Sequence, residues 1–216
     1  MIINQSKTKT AVFNTKTKDF YPRMEDSNGH MYENVEEFKL LGVEFVSHPI
    51  SGVKWDKYVT KCIRKAYSNM WILKRLKEFG VSTEDLLLTY QSRIRIHLEL
   101  NVPLWHFAIT KKLSRNIENV QKSCLFLILG QVATTEYYCN LALLNLDLLS
   151  ERRVKLCTQF AKKTFKHPQH GKMFTKNDNR TTYLGGKRNV IVPTAKTARY
   201  DRSSIPSLAR ILNTLD

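Results

Sequence analysis

The chain has 216 residues, 42% of them hydrophobic, which is enough for one ordinary domain or two small ones with a buried core. Its 35 basic and 19 acidic residues give a formal charge of +16, a self-repulsion that a polyanionic partner relieves. No run of about 18 apolar residues is present, and the opening "MIINQSKTKT" lacks the basic, apolar and small-residue succession of a secretory leader. The expectation is an intracellular protein, cytoplasmic or nuclear, with no membrane partner.

The charge is unevenly placed. Residues 1–52 hold 6 Lys/Arg against 7 Asp/Glu, residues 53–167 hold 20 against 9, and residues 168–216 hold 9 against 3. The first region reads as a short antiparallel sheet. Residues 10–14, 19–24 and 38–46 have aromatic and β-branched content, and Asn28-Gly29 supplies a tight-turn signal. Pro49 and Gly52 then break the pattern, which places a boundary after residue 52.

From Trp55 to Phe79, Trp55, Tyr58, Val59, Cys62, Ile63, Ala66, Met70, Leu73 and Leu76 recur at helical spacing. Lys57, Lys61, Arg64, Ser68 and Arg75 project from the opposite side, so the sequence predicts a long helix with a basic ridge. Gly80 ends it. Ser82 with Asp85 forms a capping signal for a second helix, which Pro103 stops or kinks near Leu100. Leu113, Ile117, Val120, Cys124, Leu127 and Ile128 mark a third helix closed by Gly130. Residues 137–147 form a short fourth, and Ser150 is the expected cap of a fifth that runs to about Lys166. The fold class is therefore α+β: a small antiparallel sheet at 1–52, a mainly α-helical bundle at 53–167, and a basic, mostly coil tail at 168–216. Within that tail only "IPSLARILN" has an apolar pattern.

Cys62, Cys124, Cys139 and Cys157 lie far apart, and three of them fall on apolar helix stripes, as reduced thiols do. His167, His170 and Cys157 lack the fourth ligand and the spacing of a zinc site. The acidic pairs Glu25-Asp26, Glu36-Glu37 and Glu84-Asp85 fit a turn, a strand edge and a helix start rather than a two-metal centre. No phosphate-cradling glycine loop and no nucleophile elbow occurs. Binding chemistry remains, in which Lys and Arg neutralise phosphates and neighbouring aromatics stack on bases. Trp71 lies nearer the ridge than the apolar face, yet packing against a neighbouring helix is its expected role, and core packing is expected for Trp105 and His106.

Seven blocks then occur in order: "NQSKTKTAVF" at 4–13, "VEEFKLLGVEF" at 35–45, "VKWDKYVTKCIRKA" at 53–66, "VPLWHFAITKK" at 102–112, "IENVQKSCLFLILG" at 117–130, "LLNLDLLSERRVKLCTQFAKK" at 143–163 and "RYDRSSIPSLARILN" at 199–213. Together they resemble the C-terminal part of the reverse transcriptase (RNA-directed DNA polymerase) of non-LTR retrotransposons, the LINE elements of jockey-like and RTE-like type. The resemblance covers nearly the whole chain and is weakest from 165 to 198. It implies the end of a palm at 1–52 and a thumb at 53–167. Lys7 matches the lysine that assists pyrophosphate departure, and the strand with Phe38, Leu40 and Gly42 matches the primer grip. Lys57, Lys61, Arg64 and Arg75 become the candidate contacts to primer-template nucleic acid, an RNA-DNA or RNA duplex held without sequence preference.

The family's metal-binding aspartates lie upstream of the segment that contains Lys7, so the expectation is a truncated transposable-element remnant with no polymerase activity of its own. It would need no cofactor, although the full-length family enzymes use Mg. The alternatives are a domesticated RNA- or DNA-binding domain and a structural protein-interaction bundle. The oligomeric state is not legible.

Overall fold

The computed structural model describes residues 4, 8–13, 24–25, 29–48, 52–177 and 190–214. Lys7, residues 19–23 of one expected strand, and Gly185-Gly186 lie outside them. The architecture is α+β, with a small antiparallel sheet followed by a helical bundle. The chain divides into two compact units, Met1–Thr60 and Lys61–Asp216.

In the first unit, β1 (Lys9–Thr10) pairs in parallel with β2 (Glu33–Asn34). The expected strand at 10–14 thus extends no further than Thr10 among the described residues. Gly29, at φ +76°, lies between Glu25 and Met31, which bridge antiparallel; Asn28 of the expected turn lies outside the described residues. The expected single strand at 38–46 is instead a hairpin: β3 (Glu37–Leu40) and β4 (Val43–His48) pair antiparallel with Leu40 opposite Val43. Only Leu41 and Gly42 remain for the loop, at φ +48° and +84°. Two consecutive left-handed residues make the two-residue turn whose twist matches that of the strands. The short β5 (Gly52–Val53) completes the sheet on the far edge of β4.

Phe13, Phe38, Phe45, Trp55 and Tyr58 form a continuous file of rings with successive centroids 5.9, 5.1, 5.6 and 6.4 Å apart. Phe38 and Phe45 are directly opposed across the hairpin and stack at 9°. Each such contact adds about 0.5–1.5 kcal/mol beyond area burial. Of the five, Tyr58 is buried, as are Val43 and Val59, while the other four rings are half-buried.

The helix α1 (Asp56–Glu78) begins in the first unit and continues in the second. Its residues Cys62, Ile63, Ala66 and Leu73 are buried. Next, α2 (Thr83–Thr89) starts at Ser82, whose hydroxyl accepts from the Asp85 backbone N–H at 3.2 Å. It runs without a break through a π-helical stretch, Tyr90–Arg95, into α3 (Ile96–Glu99). A turn bonded i to i+5 is wider than an α-turn, so residues four apart stay aligned. Leu86, Tyr90, Ile94 and Leu98 are accordingly all buried on one side. Leu100 is extended and Asn101 left-handed, and α4 (Val102–Trp105) then carries Pro103 in its first turn, where no N–H is needed. The helix α5 (Lys111–Leu129) is capped by Thr110 and closed by Gly130 at φ +57°, followed by the short α6 (Tyr137–Leu143) and by α7 (Leu149–Lys166).

Ser150 does not cap α7. The first backbone N–H, of Leu149, donates to Glu118 Oε1 of α5 at 3.1 Å, a tertiary cap that also places a carboxylate at the positive end of the helix. Glu118 is one part of a larger knot. Tyr90 donates to Gln121 Oε1, Gln121 Nε2 donates to Tyr137 Oη (2.9 Å) and to the Asp147 carbonyl (3.0 Å), and Tyr137 donates to Glu118 Oε1 (2.7 Å). Gln121 is fully buried, and burial pushes both tyrosine hydroxyls above their ordinary range, so they remain neutral donors. Nearby, the buried Arg153 donates to Ser114 Oγ at 2.6 Å and to His106 Nδ1 at 3.4 Å. Burial, and then Arg153, lower His106 to about 4.

The expected coil at 168–216 is corrected in one respect. The apolar stretch noted there forms α9 (Ser204–Asn213), preceded by α8 (Ala198–Asp201). α9 packs against α7 and α4 and buries Leu208, Ala209 and Leu212. Pro206 is accommodated because it sits in the first turn. Asn213 clasps Val190 through both its amide groups, at 3.0 and 2.8 Å. The tail therefore closes the second unit. Replacing Leu208, 3% exposed, by alanine is expected to lower stability in urea unfolding by about 2–5 kcal/mol. A change within about 0.5 kcal/mol, the range of a surface substitution, would contradict the docked helix.

Candidate nucleic-acid interface

A helix that buries one stripe must leave the other to solvent, and in α1 that outer stripe is unusual in composition. At about 100° per residue, Arg64, Tyr67, Trp71, Lys74 and Arg75 fall within one strip, and all five are exposed. Tyr67 is 43% and Trp71 64% exposed. Trp71 is thus largely exposed rather than packed on a neighbouring helix as expected. Trp105, by contrast, is 1% exposed and donates its indole N–H to the Leu100 carbonyl at 2.9 Å, which agrees with core packing.

Two polar contacts tie α1 down without drawing on the strip. Asn69 Nδ2 donates to the Arg93 carbonyl in the π-helical stretch at 3.0 Å, occupying an acceptor where the helical ladder is irregular. Lys77 Nζ donates to the Ile128 carbonyl at 2.8 Å, placing a cation at the negative end of α5. Both ends of the segment from 69 to 77 are thereby fixed to other helices of the unit.

The four ridge cations anticipated from sequence are not equivalent. Arg64 and Lys61 are exposed on the outer side. Arg75 pairs with Glu78 one turn on, at 2.9 Å, an exposed contact of the kind worth little and readily exchanged for a phosphate. Lys57 is paired with Glu37 within the first unit. That hydrogen bond is the main reason its ammonium is held above the ordinary lysine range, with Glu44 adding to it. The Lys57–Glu37 contact is exposed, like that of Arg75 with Glu78, but Lys57 belongs to the first unit and the other three cations to the second. Lys74 was missed, as was the exposure of Tyr67. The same helical spacing that defined the apolar stripe places both in the strip.

The residues matched to a primer grip occupy the hairpin. Phe38 is part of the ring file, Leu40 is half exposed at the end of β3, and Gly42 forms the turn. Phe38 is thus a packing residue, while Leu40 and Leu41, 94% exposed, present the tip.

Other basic surfaces exist. On α7, Lys155, Lys162 and Lys166 share an exposed side, but Lys155 pairs with Asp147 at 2.7 Å and no aromatic side chain lies in that line. His167 accepts the backbone N–H groups of Gln169 and His170 through Nδ1, so it serves as a turn residue. Among the described residues no three His, Cys, Asp or Glu side chains converge to hold a metal ion, and no helix is long and apolar enough to cross a membrane. Cys62, Cys124 and Cys157 are buried thiols in no disulfide, the last two pushed up to about 12 chiefly by burial. No protein-family model, curated protein or solved structure matches the chain.

The two tryptophans give a direct check on this placement. Trp71→Ala is expected to change unfolding stability by no more than about 0.5 kcal/mol, whereas Trp105→Ala is expected to cost about 3–5 kcal/mol. Equal losses in chemical denaturation would mean that Trp71 is packed after all.

Proposed function

We propose that the chain is a nucleic-acid-binding module related to the thumb of a non-LTR retrotransposon reverse transcriptase, which holds a primer-template duplex by its phosphates along the outer strip of α1. The observation that carries this reading is the set of exposed cations Lys61, Arg64, Lys74 and Arg75 on one side of a helix that is anchored by Asn69 and Lys77. Contacts from Lys and Arg to phosphate fix position and carry no base information, so the recognition is independent of sequence. The proposed role is to hold the duplex, with nucleotidyl transfer left to carboxylates that the family places elsewhere in its polymerase.

The net charge of +16 adds a long-range attraction that speeds encounter with a polyanion. Specific retention depends on the local strip, and salt dependence separates the two. Each phosphate neutralised contributes about 0.9 to the slope of log affinity against log salt. In fluorescence anisotropy with a labelled RNA-DNA duplex, the Lys61→Ala/Arg64→Ala/Lys74→Ala/Arg75→Ala variant is expected to show a slope about 3–4 shallower than wild type. Equal slopes would contradict the strip as the contact surface, and absence of any salt-dependent binding by the wild type would contradict the nucleic-acid reading as a whole.

A further inference from the structure

Phosphate neutralisation accounts for the cations of the strip but leaves its two rings unexplained. Trp71, at 64% exposure, and Tyr67, at 43%, leave in water the apolar area that such side chains normally bury. They stand one turn apart on α1, with Arg64 on one side and Lys74 and Arg75 on the other; side chains three or four apart on a helix are neighbours. Among the described residues neither ring is matched by another aromatic ring.

We infer that Trp71, with Tyr67 beside it, is a stacking platform for unpaired bases, so that the ligand is a nucleic acid with a single-stranded segment adjoining the duplex. This deepens the nucleic-acid reading and rests on it. Within a duplex each base face is covered by its neighbours, about 3.4 Å away along the strand. Only an unpaired base offers a free face to a side chain. Tyr67 and Trp71 are separated by four residues, about 6 Å along the helix axis. That spacing exceeds the repeat of a stacked strand and suits a strand whose bases have been drawn apart. Trp, Tyr and Arg are also enriched at protein interfaces, but the row of exposed cations Lys61, Arg64, Lys74 and Arg75 beside the rings matches the pairing of backbone-tracking charge with stacking aromatics that single strands use.

Stacking on one aromatic side chain is worth about 1–3 kcal/mol per base, which corresponds to about 5–150-fold in affinity. The test compares two RNA-DNA duplexes with the same short single-stranded DNA overhang, one carrying bases and the other abasic along the overhang, so that the phosphate count is equal. The wild type is expected to bind the base-bearing overhang at least about fivefold more tightly. Trp71→Ala is expected to abolish that advantage and Trp71→Phe to retain most of it, because phenylalanine keeps a π face. An advantage that survives Trp71→Ala, or no advantage in the wild type despite salt-dependent binding of both duplexes, overturns the stacking platform and leaves the phosphate reading standing; the rings then serve another partner, such as a protein. If neither duplex binds in a salt-dependent way, both readings fall together.

Discussion

The second unit depends on one buried amide. Gln121 lies fully buried on α5, accepts from Tyr90 and donates to Tyr137 and to the Asp147 carbonyl. It therefore joins the π-helical stretch, α5, α6 and the approach to α7. Apolar packing alone tolerates sliding, because hydrophobic attraction has no direction. A buried amide does not, since any displacement leaves a donor or acceptor unpaired at a cost of about 1–3 kcal/mol for each group. Glu118, one turn before Gln121, extends the same constraint by accepting from Tyr137 and from the first N–H of α7. The helices that surround α5 are thus held in register by hydrogen bonds as well as by leucine packing.

That register matters for α1 because its polar anchors end on elements the knot positions. Asn69 reaches the Arg93 carbonyl, in the stretch that begins with Tyr90, and Lys77 reaches the end of α5. With Ile63, Ala66 and Leu73 buried beneath, the helix has little rotational freedom left, and its outward strip is presented as a fixed array. Preorganisation of this kind reduces the ordering cost of binding. Cations on a flexible segment would attract the same polyanion, but each would lose more side-chain and backbone freedom on contact.

Much of this was legible in the sequence because it follows from periodicity and capping. The span of α1, the Ser82 cap, the stop before Pro103 and the closure at Gly130 need only local chemistry. Features set by distant partners were not. Ser150 had the right residue type for a cap, but a carboxylate from α5 occupies that end of α7. The π-helical stretch shows in retrospect as the strict four-residue spacing of Leu86, Tyr90, Ile94 and Leu98. The hairpin was hidden because Leu41-Gly42 lacks the asparagine or aspartate that usually announces a two-residue turn. The apolar pattern of α9 was visible, but its docking depends on the surface that α7 and α4 offer, which no local window contains. At the candidate site, periodicity placed Trp71 near the ridge; its exposure is a tertiary fact, set by which side of α1 the bundle covers.

The proposed contact surface for nucleic acid is the outer strip of α1, rather than the chain's positive charge at large. Photo-cross-linking of the full chain to an RNA-DNA duplex with a short overhang, followed by mass-spectrometric mapping of the attached peptides, tests it most directly. Cross-links concentrated in residues 61–78, above all at Tyr67 and Trp71, are the expected result. Cross-links concentrated on the Lys155, Lys162 and Lys166 side of α7, or spread over the molecule in proportion to exposed lysine and arginine, would contradict it.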